Sequence, residues 1–200
     1  MIAPSDLTDE VPVLTPRCLR PGGRFAYREL IAASGETTAV PDPDRIVHLQ
    51  LRRFAGCPIC NLHLHSLVRA ADEIEAAGIR EVIVFHSTPE ELRRYAPEVP
   101  FALIADPRRR LYRDLGVEPS PRSLLDPRAW GAMLRGPLAA LGAALRRSSP
   151  PPPSPTGGRL GLPADLLIAP DGRLLAVKYG HHAYDQWSVG ELLRLAGDGP

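Results

Sequence analysis

The sequence predicts an α/β fold, a central mixed β-sheet flanked by helices, and three observations carry that expectation. Residues 46–51 (Ile-Val-His-Leu-Gln-Leu) alternate apolar and polar side chains over a β-branched run, the pattern of a strand with one better-buried face. Leu64, Leu67, Val68, Ala71 and Ile74 then recur at three- and four-residue spacing, an apolar stripe along a helix that Gly78 can end. The same strand-helix order repeats as far as Leu115, at a spacing that implies right-handed crossovers between parallel strands. With 200 residues, 44% hydrophobic and 24% charged, the chain has enough apolar surface for one domain with a proper core.

The elements follow in order. Residues 1–24 are rich in Pro and Gly and read as an extended N-terminal arm, so the domain is expected to span 25–200. Residues 25–31 and 37–40, separated by Ser34-Gly35-Glu36, suit a small hairpin. After the strand at 46–51 and its helix, residues 81–86 form a second apolar strand. Thr88, Pro89, Glu90 and Glu91 then start a helix, with a cap, a first-turn proline and first-turn acids. Residues 101–105 are the third strand, and Asp106-Pro107 opens a short helix that Gly116 stops.

Residues 117–163 break this rhythm and read as a helical, Pro-rich insertion. Within it 129–147 is helix-prone but interrupted by Gly136-Pro137, and 148–158, with four consecutive prolines, reads as an exposed polyproline-type loop. The fold resumes with a strand at 162–168, a tight turn at Asp171-Gly172, an antiparallel return at 173–179, a polar loop at 180–185 and a closing helix capped by Ser188.

Chemistry concentrates in Cys57-Pro58-Ile59-Cys60, where the strand at 46–51 gives way to a helix. Free backbone N–H groups and the helix dipole at that junction favour a thiolate at Cys57, and Arg52 and Arg53 bring positive potential. Pro58 suits the first turn because its missing N–H costs no helical bond. Cys60 lies one turn on, within reach of a short disulfide. The same pair with His63 can also begin a zinc or copper site, and that alternative stays open at this level.

The remaining composition narrows the classes. A net charge of +1 gives no reason to expect nucleic acid as a partner. The acidic start, without a basic n-region or apolar h-region, is no secretory signal, and no run reaches transmembrane length. Three cysteines, an odd count, together with that start, point to a cytoplasmic protein whose thiols are reduced at rest. Cys18 carries no flanking motif. Of the histidines, His86 is placed nearest the cysteines, because the carboxyl ends of adjacent parallel strands are neighbours. His63, His65, His181 and His182 are candidates to supply a proton.

Residues 52–61, Phe85-His86-Ser87, Ala105-Asp106-Pro107 and the closing Leu162-Pro163-Ala164-Asp165 with Asp171-Gly172 resemble the peroxiredoxin-like proteins of the AhpC/TSA superfamily, in particular the CxxC group with selenoprotein L-like relatives. The resemblance runs from about residue 20 to the C-terminus, the Pro-rich loop excepted, and implies a thioredoxin-like fold. It implies Cys57 as the attacking, peroxidatic thiol and Cys60 as the resolving one, with Pro163 beside them; Arg53, Pro58 and His86 are expected to support the same site. Pro163 matches the proline that is usually cis in thioredoxins. The implied partners are a peroxide or disulfide substrate and a cellular dithiol reductant of thioredoxin or glutathione type, without a cofactor; a homodimer is compatible with it. One departure stands out. The family's P-x-x-x-T-x-x-C pattern places Thr and Pro where this sequence has Phe54 and Gln50, leaving Arg53 or Arg122 as the substitute donor to a peroxide oxygen.

Overall fold

The alternation of residues 46–52 sets the middle strand of the sheet in a computed structural model of the protein, which describes residues 19–96, 99–117 and 154–198. A small antiparallel hairpin, β1 (Arg28–Ile31) and β2 (Thr37–Val40), precedes it. The middle strand, β3 (Ile46–Arg52), leads into α1 (Pro58–Arg69) and α2 (Ala71–Ala76). Next come β4 (Ile79–Phe85), α3 (Pro89–Tyr95), β5 (Ala102–Ala105) and α4 (Arg110–Asp114). The chain closes with β6 (Ala164–Ile168), β7 (Leu174–Tyr179) and α5 (Val189–Gly197). Five strands form one mixed sheet in the order β5-β4-β3-β6-β7, with β5, β4 and β3 parallel and β6 and β7 antiparallel to their neighbours.

Local chemistry explains where elements differ from expectation. The single helix expected up to Gly78 is two, because Ala70 (φ −108°, ψ 17°) turns its N–H back to the Leu67 carbonyl, and Ile74 N–H restarts the ladder on Ala70. The helix expected from residue 107 begins at Arg110. The Asp106 carboxylate accepts from the N–H groups of Arg110 (2.9 Å) and Leu111 (2.8 Å), and Arg109 takes φ +52°, a left-handed conformation uncommon outside glycine. Thr88 with Glu91, and Ser188 with Glu191, make reciprocal capping boxes at the starts of α3 and α5.

The sheet separates two apolar clusters. Val47, Leu49 and Leu51 pack with Val82, Val84, Leu166, Leu111 and Tyr112 on one face. On the other, Ile83, Phe85 and Leu167 meet Cys57, Cys60, Leu64 and Leu67 of the α1 segment, with Ile74, Leu92 and Leu192. The expectation that β3 buries one face better than the other is overturned, since His48, Gln50 and Arg52 are as buried as the leucines between them. They face α1 and Trp187, and their polar groups pair with one another (below).

Among the described residues no helix is long and apolar enough to cross a membrane. The helix expected at 129–147, the four prolines, Arg122 and Cys18 lie outside the described residues, as does the arm through residue 18.

Candidate active site

Gly56, at φ +80°, supplies the left-handed turn that brings the chain from the strand end into α1, a geometry that penalises any side chain. Cys57 follows as the helix N-cap in extended conformation (φ −61°, ψ 119°), with Pro58 in the first turn. Its own N–H is held by the Phe54 carbonyl at 3.1 Å. Cys57 and Cys60 are both buried and are not joined to each other.

Opposing effects set the Cys57 thiol. Burial pushes it up. The Cys60 thiol donates to it, the Arg53 guanidinium stands at 3.6 Å, and the N–H groups of Cys60 and Ile59 point at it; together they bring it down to about 6. Cys60 moves the opposite way, well above the usual thiol range, because it donates its proton to Cys57 and is itself buried beside the developing negative charge. The pair thus divides its labour by environment: a thiolate at Cys57 and a protonated thiol at Cys60 at neutral pH.

The expected supporting residues are placed as follows. Arg53 reaches Cys57, but Arg52 does not, being turned into the sheet face beneath α1. His86, at the end of β4, donates its backbone N–H to the Arg53 carbonyl (3.1 Å), and Ser87 Oγ accepts from Ala55 N–H (3.0 Å), so the end of β4 clamps the loop that carries Cys57. The His86 ring packs on Phe54 and edge-on against Tyr112. Burial, then the Arg109 cation, pulls it down to about 3, so it is neutral. Pro163 is buried where β6 begins, beside the carboxyl end of β3, and its carbonyl accepts from Gly180 N–H at 2.8 Å. The cis geometry implied by the resemblance is not found there: among the described residues only Val40–Pro41 is cis.

His63 does not join the cysteines as a ligand. Its Nε2 faces Arg52 Nη2 at 3.3 Å, and burial followed by that cation keeps it neutral. Among the described residues no group of three or more His, Cys, Asp and Glu side chains is arranged to hold a metal ion. His65 is exposed, and His181 and His182 lie in a surface loop pinned by Asp185.

Beneath α1 lies a cluster that sequence reasoning passed over. His48 is gripped between Glu81 (2.9 Å) and Asp165 (3.1 Å), and Asp165 also accepts from Arg52 at 2.5 Å. Gln50 bridges Arg52 and Glu81, and Trp187 lies over the His48 ring at 5.6 Å. Burial lowers the His48 proton affinity, but the two carboxylates outweigh it and raise it to about 9. Two cations and two anions therefore compensate in a dry space. The signal was present as polar residues at every second position of β3, with Glu81 and Asp165 interrupting apolar strands. Tyr112 was likewise missed; its hydroxyl is shared between the carbonyls of Arg52 and Val84, tying the strand ends at the site.

A family model described as AhpC/TSA antioxidant enzyme matches residues 66–182, beginning just beyond Cys60. Among solved structures, a cysteine-to-serine mutant of the peroxiredoxin 6 of Arenicola marina aligns with TM-score 0.64 and 17% identity, covering 90% of this chain and 72% of that one. Peroxidoxin BcpB from Mycobacterium tuberculosis aligns at 0.58 and 17%, covering 90% and 97%, and a thiol:disulfide interchange protein DsbE from Chlorobium tepidum at 0.55 and 16%, covering 90% and 99%. No curated protein sequence matches the chain. At these identities the structural likeness establishes the thioredoxin-like fold.

Proposed function

Because the chain belongs to the AhpC/TSA antioxidant enzyme family, we propose that it is a thiol-dependent oxidoreductase in which Cys57 attacks a disulfide and Cys60 resolves the product. The observation that carries this reading is the Cys57 thiolate 3.6 Å from Arg53 with the protonated Cys60 one turn on.

The steps balance simply. Cys57 S⁻ displaces one sulfur of the substrate disulfide, forming a Cys57–substrate bond and releasing a thiolate that takes a proton. Cys60, losing its proton, then attacks Cys57 Sγ, expels the second substrate sulfur as a thiol and leaves a Cys57–Cys60 disulfide. The substrate is reduced by two electrons, the protein is oxidised by two, and an external dithiol returns them. His86 adjoins the site, but with its proton affinity held down to about 3 it takes up no proton at neutral pH, so the Cys60 proton passes to the departing sulfur.

A disulfide fits this site better than a peroxide. Phe54, in the position of the family threonine, is buried and offers no side-chain donor, so among the described residues Arg53 is the side chain placed to receive a peroxide oxygen beside Cys57. Arg53 does keep the peroxide reading alive as a second activity of the same thiolate. In the test, the Cys60→Ser protein mixed with a disulfide should accumulate a mixed disulfide on Cys57, visible by intact mass, and the Cys57→Ser protein should form none. Undiminished reduction by Cys57→Ser contradicts the reading.

A further inference from the structure

Residues 154–162 carry neither helix nor strand, yet they are strapped across the carboxyl end of the sheet by side chains that bind their backbone. The Thr156 N–H and hydroxyl both donate to Glu91 Oε1 at 2.9 Å. The Arg109 guanidinium donates to the carbonyls of Gly157 and Leu160 (2.9 Å to the latter). Arg53 donates through Nη2 to the Arg159 carbonyl, while its Nη1 stands against Cys57 Sγ. Three backbone carbonyls within four residues are thus held by two guanidinium groups, and one of these also serves the nucleophile.

Most of the strap faces solvent. From Ser154 to Gly161 only Pro155 and Gly161 are buried, and the Leu160 side chain is 39% exposed. Underneath it, His86 is 1% exposed and among the described residues neither ring nitrogen has a hydrogen-bond partner, a costly arrangement for an imidazole. The strap fits over this ring only through glycine. A Cβ at Gly161 would sit 3.1 Å from His86 Nε2, and one at Gly157 would run into the His86 carbonyl oxygen and Nδ1.

Resting on the reading of Cys57 as a nucleophile toward disulfides, we propose that the strap occupies a groove built for the backbone of an extended, disulfide-bearing polypeptide and yields to it. Arg53 and Arg109 then exchange the strap's carbonyl oxygens for the substrate's, and the uncovered His86 gains the polar partner it lacks. Recognition through carbonyls is independent of side chains, and the two guanidinium groups are engaged by carbonyls of three different residues, which a short segment of polypeptide can supply and a small disulfide cannot. The three guanidinium–carbonyl bonds of the strap are replaced one for one by those of the substrate, while the two Thr156 bonds to Glu91 are given up.

The test uses the full chain and reads alkylation of reduced Cys57 by iodoacetamide, followed by peptide mass. Gly157→Ala, which unseats the strap while keeping both arginines, and Arg109→Ala, which removes two of its carbonyl bonds, should each alkylate about tenfold faster than the natural protein. A synthetic peptide copying residues 154–162, added in excess, should restore protection in Gly157→Ala and fail to do so in Arg109→Ala. Unchanged alkylation in both variants, or no protection of Gly157→Ala by the peptide, overturns the proposal. Neither readout needs turnover: alkylation as expected without disulfide reduction would refute the oxidoreductase reading alone, and disulfide reduction with unchanged alkylation would refute the strap alone.

Discussion

Cys57 owes its low proton affinity to groups contributed by a few residues of chain: the Cys60 thiol, the Arg53 guanidinium and two backbone N–H groups, acting against burial. This assignment fixes an observable. The rate of Cys57 alkylation should follow a titration with its midpoint near 6, and Arg53→Met, which keeps the aliphatic bulk and removes the charge, should move that midpoint up toward the ordinary thiol value of about 8.5. A midpoint in Arg53→Met equal to that of the natural protein would show that the guanidinium takes no part. The Cys-x-x-Cys pair, Pro58 and the helix start were legible in sequence because each depends on neighbours along the chain. The separate fates of Arg52 and Arg53 were not: Arg52, the last residue of β3, turns beneath α1 to Asp165 of a distant strand, whereas Arg53, just past the strand end, turns to Cys57, and these partners are set only by the assembled sheet.

At the scale of elements, β3 is the unusual member. Its Val47, Leu49 and Leu51 read as an ordinary core face, and the polar residues between them suggested a weaker one. The structure instead buries His48, Gln50 and Arg52 under α1, which is tolerable only because Glu81 of β4 and Asp165 of β6 arrive on either side; His48 pairs in register with Glu81 and with Leu167, and Asp165 pairs with Gln50, two residues along β3 on the same face. Pairing across three strands that lie far apart in sequence cannot be read from one strand's alternation. Removing one member leaves charge without compensation, so His48→Leu should destabilise the protein by about 3–5 kcal/mol in urea unfolding. Replacing Glu81 by Leu in the same protein should recover part of that loss, whereas simple addition of the two losses would count against a shared network.

At the scale of the whole molecule, two buried groups make stability depend on pH in opposite senses. His48 binds its proton more tightly folded than unfolded, so its contribution is full below about 6.5 and is lost as pH rises through about 9. Cys57 releases its proton more readily folded than unfolded, so its contribution is present above the ordinary thiol value and is lost as pH falls through about 6. Between these limits the two slopes offset one another. Unfolding free energy should therefore be nearly level from pH 6.5 to 9 in the natural protein, fall with rising pH in Cys57→Ser, and rise with it in His48→Leu. The succession of strands and helices along the chain, the caps at Thr88 and Ser188 and the closing hairpin followed from periodicity and turn chemistry. The strap at 154–162 did not, because its hydrogen bonds run from distant side chains to backbone and leave no mark in its own sequence.

The account turns on which sulfur atoms join when the reduced protein meets one equivalent of a disulfide. Quenching with acid, blocking free thiols and mapping the peptides by mass should show a Cys57–Cys60 link, with Cys18 recovered as the blocked thiol. A link from Cys57 to Cys18 or to a second chain, or both Cys57 and Cys60 recovered as free thiols after the substrate has been reduced, would contradict it.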